Sequence, residues 1–193
     1  MTPEQLVYLG IFINALGNIS YIRGTLRGKI KPDKVSFLIW SIAPLVAFFA
    51  QTTKGVGVQS LMTLSVGLFP LCVFIASFVN KKAFWKLDPR DILCGGIAFV
   101  GIILWYITKD ASLAILFSVL AEGVATLPTI IKSYYFPKTE QGWPWLASAI
   151  GGTLTLLSIH TWEFATIAFP FFYTIEMLIV FLLVQFKLGK KKR

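Results

Sequence analysis

Charge is scarce in this chain. Of its 193 residues only 14% are Asp, Glu, Lys or Arg, and nine in all are acidic. A soluble domain is usually about 25% charged, so too few polar side chains exist to cover a water-facing globule. Cysteine is limited to Cys72 and Cys94, both inside apolar runs. That excludes a disulfide scaffold and reads as two small core side chains. Histidine occurs once and forms no ligand cluster, so no metal site is expected. There is no Ser/His/Asp set and no Gly-rich phosphate loop, so neither an enzyme nor a cofactor is expected. The last apolar run holds no lysine at its middle, which excludes a retinal protein.

What is abundant is apolar surface: 56% of residues are hydrophobic and the mean hydropathy is +0.74. This composition points to an all-α integral membrane protein. A bilayer-crossing helix needs roughly 20 predominantly apolar residues. Seven such runs fit, at 4–22, 35–52, 56–79, 91–108, 111–131, 142–160 and 163–186. They fill the chain and leave no room for an extramembrane domain. Glu4 precedes the first run and positive charge follows it, so it reads as a span and not a cleavable signal.

The net charge of +9 is distributed unevenly. Arg23, Arg27, Lys29, Lys31 and Lys34 fall after the first span, and Lys81, Lys82, Lys86 and Arg90 after the third. Lys132 and Lys138 follow the fifth, and Lys187, Lys190, Lys191, Lys192 and Arg193 form the tail. These are 16 of the 18 basic residues; Lys54 and Lys109 lie on the other side. By the positive-inside rule the N-terminus is outside and the C-terminus cytoplasmic. Basic clusters beside apolar runs suit anionic lipids at the inner face, not nucleic acid. Tyr21, Trp40, Trp85, Tyr134, Tyr135, Trp143 and Trp145 fall at inner ends, and Tyr8, Trp105, Tyr106 and Trp162 near outer ends. They read as two interfacial aromatic belts.

Shifting the chain by 105 residues lays the first three spans over the last three. Arg27, Pro32 and Trp40 then meet Lys132, Pro137 and Trp145 at identical spacing. The expected organisation is a first three-helix repeat over 4–79, a linker helix over 91–108, a second repeat over 111–186 and a basic tail over 187–193. The unpaired linker returns the second copy to the orientation of the first. The result is two parallel three-helix bundles, and transporters built this way hold their site between the halves near mid-membrane.

This 3+1+3 pattern resembles the SWEET and PQ-loop superfamily of small-solute transporters. The stretch Leu127-Pro128-Thr129-Ile130-Ile131-Lys132, followed by Pro137-Lys138-Thr139-Glu140 and Trp145, looks like a degenerate PQ-loop segment. Sugar carriers of that family typically have Asn in the middle of the third and seventh spans, where this chain has Leu71-Cys72 and Glu176. The resemblance implies alternating access, with prolines inside spans acting as hinges. Pro44, Pro70, Pro128 and Pro170 are the candidates, Pro44 and Pro128 foremost.

A carboxylate at mid-bilayer costs about 2.5–3.5 kcal/mol on insertion scales, so each one needs an explanation. Glu122 and Glu176 both fall near the middle of a span, each roughly 15 Å from its inner end at 1.5 Å per residue. Asn14 sits at a similar depth, with Asn18 on the same helix face. Tyr173, one turn before Glu176, adds a hydroxyl. These five side chains form either a substrate-binding or proton-coupling site, or interhelical glue. His160 and Glu163, beside Trp162, read as a solvated outer turn, and Gly95-Gly96 and Gly151-Gly152 as points of close helix contact. The expected function is a small-solute secondary transporter or facilitator for a polar or cationic solute. A non-transporting receptor or adaptor on the same scaffold is the alternative. Two complete halves let one chain supply the path, which is compatible with a homo-oligomer.

Overall fold

The computed structural model describes residues 1–79, 89–108 and 110–189. Lys81, Lys82, Trp85, Lys86, Lys109 and the tail residues 190–193 lie outside them, as do the side chains of Arg90, Cys94 and Trp105. Seven α-helices are present among the described residues: α1 (Pro3–Leu26), α2 (Lys34–Thr53), α3 (Ser60–Val79), α4 (Pro89–Thr108), α5 (Ala111–Tyr135), α6 (Gly142–Leu157) and α7 (Phe164–Phe186). Five of them, α1, α2, α3, α5 and α7, are long and apolar enough to cross a membrane. At 16 residues α6 spans only about 24 Å, short of the roughly 30 Å hydrocarbon core.

Local chemistry explains where the helices start and stop. Thr2 and Gln5 form a capping box at the start of α1, and the side chains of Asp33 and Asp110 cap α2 and α5. Each cap satisfies backbone N–H groups that the first turn leaves unpaired. Beyond α1 and α2 the chain turns through Gly28 and Gly55, whose φ angles of 70° and 75° favour a residue without Cβ. After α5, Pro137 opens a single 3₁₀ turn, where a proline cannot continue the helix. The sequence expectation ended the fifth span at residue 131; α5 instead runs on to Tyr135 and carries Lys132 inside it.

Helix α3 packs against both α1 and α2, and α7 packs against both α5 and α6. Helix α6 lies on α1, α5 lies on α2, and α4 lies on α5 and α2. The α1–α6 seam is tight because it is lined with small residues. A Cβ on Gly10 would stand 2.8 Å from the Gly151 carbonyl oxygen, and one on Gly17 would stand 2.6 Å from the Ala147 Cβ. Gly152 likewise admits Thr174. Gly96 does not serve this purpose: a Cβ there would meet no atom of the described residues within 4 Å, while the surroundings of Gly95 lie outside the described residues.

Two further expectations are corrected here. Trp40, Trp145 and Tyr21 are buried, so they do not belong to an interfacial belt. They form a core cluster with Phe37, with centroid separations of 5.0 to 5.9 Å along Phe37–Trp40, Tyr21–Phe37, Tyr21–Trp145 and Trp40–Trp145. Tyr8, Tyr106, Trp143 and Trp162 do remain exposed. Cys72 is also exposed, not a core residue.

Candidate functional site

The mid-helix polar residues converge on one region between α1, α3, α5, α6 and α7. Asn14 is fully buried on α1. Its Oδ1 accepts hydrogen bonds from Ser148 Oγ on α6 at 2.9 Å, from Tyr173 Oη on α7 at 3.4 Å and from Asn18 Nδ2 at 2.9 Å. Its Nδ2 donates to Ser65 Oγ on α3 at 3.4 Å. Asn14 therefore ties four helices together through its side-chain amide. Asn18, half-buried, also donates to the Asn14 carbonyl at 2.9 Å.

A second network surrounds the two carboxylates. Thr126 Oγ1 on α5 lies 3.1 Å from Glu176 Oε2 on α7 and 2.9 Å from the Glu122 backbone carbonyl. It also accepts the Trp40 indole N–H at 3.2 Å. Glu176 presses against α5 beside Glu122: a Cβ on Gly123 would stand 3.1 Å from Glu176 Oε1. One hydroxyl proton cannot serve both oxygen neighbours. Thr126 can donate to an ionised Glu176, or accept from a protonated one while donating to the helix carbonyl.

The two networks share a cavity. Asn18, Glu122, Ser148 and Tyr173 line it together with the aromatic rings of Tyr21, Phe37, Trp40 and Trp145. Its free space is about 30 Å³, above the roughly 10–15 Å³ that a single water needs. Two residues lining it carry buried polar atoms with no hydrogen-bond partner among the described residues, Glu122 Oε2 and Trp145 Nε1. Buried polar groups are nearly always satisfied in native proteins; this cavity therefore offers one open acceptor and one open donor to a polar group.

The prolines are all inside helices and all buried: Pro44 in α2, Pro70 in α3, Pro128 in α5 and Pro170 in α7. Pro70 lines the cavity itself. Near Pro128 the helix is tied to its neighbour, since Ser36 Oγ on α2 donates to the Ala125 carbonyl at 2.6 Å.

The sequence reading missed a third polar group. Lys132, expected as a loop charge, is buried and ion-paired with Glu140, and its ammonium also donates to the Lys31 carbonyl. Tyr21 Oη donates to Glu140 Oε1 at 3.2 Å. The same pair of loops is joined through backbone, Lys31 N to Thr139 O at 3.3 Å. Two residues of opposite charge eight positions apart, flanking Pro137, were the available signal. At the opposite end Gln51 Nε2 donates to the Ala165 carbonyl at 3.1 Å and Gln59 Nε2 to the Ser158 carbonyl at 3.3 Å. His160 and Glu163 are exposed there, around a surface depression shared with Lys54.

The class defined so far is an all-helical protein whose several apolar helices point to a membrane location, with a mainly apolar cavity among them that a few polar side chains line. Compared with known protein families, with curated proteins and with solved structures, the chain matches none.

Proposed function

We propose that this chain is a small-solute secondary transporter of 3+1+3 architecture that works by alternating access. Glu122 and Glu176 neutralise a cationic solute or carry a coupled proton. The observation that carries this reading is Glu122, a buried mid-helix carboxylate with an unpartnered oxygen at a cavity between helices. Ionisable groups at such depth are expensive and are functional by default.

The helix packing supports the repeat. Exchanging α1 with α5, α2 with α6 and α3 with α7 leaves the pattern of neighbours unchanged, α4 apart. Trp40 and Trp145, equivalent in the 105-residue shift, meet each other at 5.9 Å beside the cavity. In this reading the conformation is closed at both ends. Below the cavity lie the aromatic cluster and then the Lys132–Glu140 pair; the opposite end is bridged through Gln51 and Gln59. Ligand pockets are typically about 300–1,000 Å³, so admitting a solute requires the helices to part, with the buried prolines as bending points. Thr126, able to serve either protonation state of Glu176, couples proton loading to the α5–α7 contact.

The test begins with thermal stability of the purified protein against sugars, amino acids, nucleosides and amines, since a native-state ligand raises the melting temperature with its concentration. A hit then enters a proteoliposome flux assay with and without a pH gradient. Uptake abolished in Glu122→Gln and Glu176→Gln, with melting temperature retained, is the expected result. Binding without flux in any gradient would sink the transport reading in favour of a receptor on the same scaffold. Mutants that melt far below the parent would assign the carboxylates to packing.

A further inference from the structure

A second cavity lies away from the central one, where α5, the 3₁₀ turn and the end of α7 meet. It holds about 330 Å³ and is lined by Tyr134, Tyr135, Phe136, Lys138, Thr139 and Lys187, among others. Two features set its chemistry. Lys138 and Lys187 bring two positive charges to it, and neither lysine meets a carboxylate among the described residues. The nearest acidic residue in sequence, Glu140, is buried and already committed to Lys132. Lys187 is also held in the left-handed conformation, φ 53°, at the end of α7, an uncommon state for a residue with a side chain.

The position selects the ligand. The cavity opens at helix ends, and apolar side chains stand exposed around it: Phe136 lines it, while Phe186 and Leu188 flank Lys187 in the chain. A soluble anion needs the lysines and gains nothing from exposed apolar neighbours. A phospholipid uses both, its phosphate between the lysines and its acyl chains along the apolar helix surface. Basic pockets between membrane helices are known to take acidic lipid headgroups. We propose that this pocket binds the headgroup of an anionic phospholipid, with Lys138 and Lys187 contacting the phosphate. This site is independent of the transport reading, because none of its residues lines the central cavity.

The experiment is native mass spectrometry of the full chain released from mixed vesicles of phosphatidylcholine and phosphatidylglycerol. Each basic residue near the membrane surface contributes about a five-fold preference for anionic lipid, so retention of phosphatidylglycerol over phosphatidylcholine is expected on the order of 30-fold. The double variant Lys138→Gln/Lys187→Gln is expected to lose nearly all of that preference, and Lys54→Gln, at the other end of the molecule, to keep it. Circular dichroism and melting curves verify that each variant is folded. Preference unchanged in the double variant, or lost equally in Lys54→Gln, would overturn the site. Retention of inorganic phosphate with no retention of phosphatidylglycerol would overturn the lipid assignment and identify a soluble-anion pocket.

Discussion

Lys132 shows how much a single buried charge depends on its partners. Its ammonium is enclosed with Glu140, the Lys31 carbonyl and, through Glu140, the Tyr21 hydroxyl. Removing one member of a buried ion pair strands the other and costs about 3–5 kcal/mol, whereas replacing both by apolar groups is often neutral or stabilising. Lys132→Met is therefore expected to lower stability in a chemical melt by that amount. Adding Glu140→Leu is expected to recover most of it, and a double variant no better than the single would refute the pairing. The opposite holds for Glu122. Its Oε2 has no partner to lose among the described residues, so Glu122→Gln is expected to melt at or above the parent temperature while abolishing ligand-induced stabilisation.

Among the elements, the α1–α6 seam is the one most sensitive to added volume. Gly17→Ala would drive its Cβ to 2.6 Å from the Ala147 Cβ and 3.1 Å from the Pro144 carbonyl oxygen. Overpacking of this kind typically costs about 1–3 kcal/mol. Gly96→Ala on α4 meets no atom within 4 Å and removes a poor helix former, so it is expected to be neutral or stabilising. Matched melting curves of the two variants check both statements, and equal effects would contradict the packing. The N-terminus of α5 carries a pH dependence. The backbone N–H groups of Leu113 and Ser112 donate to Asp110 and hold its carboxyl below the ordinary range. A depressed folded value means the cap's contribution is fully present above the ordinary carboxylate range and is lost as pH falls below that range through the depressed folded value. Asp110→Ser, which caps without titrating, is expected to flatten the acid limb of the melting profile.

For the molecule as a whole, the hydrogen bond between Lys31 and Thr139 joins two loops at one end. The proposed alternating access would require them to separate. With Cys72, exposed on α3, and Cys94 first replaced by serine, Lys31→Cys/Thr139→Cys is expected to cross-link under oxidation, stop flux, and recover it on reduction. Undiminished flux through a fully cross-linked sample would show that these loops do not move during transport. Under the same proposal, the buried prolines of α2, α3, α5 and α7 are the bending points for such movement.

The sequence by itself determined the helical, membrane-type composition, because hydropathy over twenty residues is a local property. It determined helix positions to within a few residues, and it singled out Glu122, Glu176 and Asn14 because polarity inside an apolar run is visible without a structure. It also held the spacing that relates Trp40 to Trp145. What it could not determine was direction. Trp40, Tyr21 and Trp145 sit near helix ends, where composition suits an interface, yet they face inward onto one another. Lys132 read as the boundary of a span because a charge normally ends one; only the chain folding back through Pro137 brings Glu140 to it. Asn14 and Glu122 looked alike in sequence. Tertiary packing separated them, giving the amide partners from three other helices and leaving a carboxylate oxygen without a partner among the described residues at a cavity. Which polar group is free and which is spent depends on neighbours distant in sequence, and that is decided only when the helices pack.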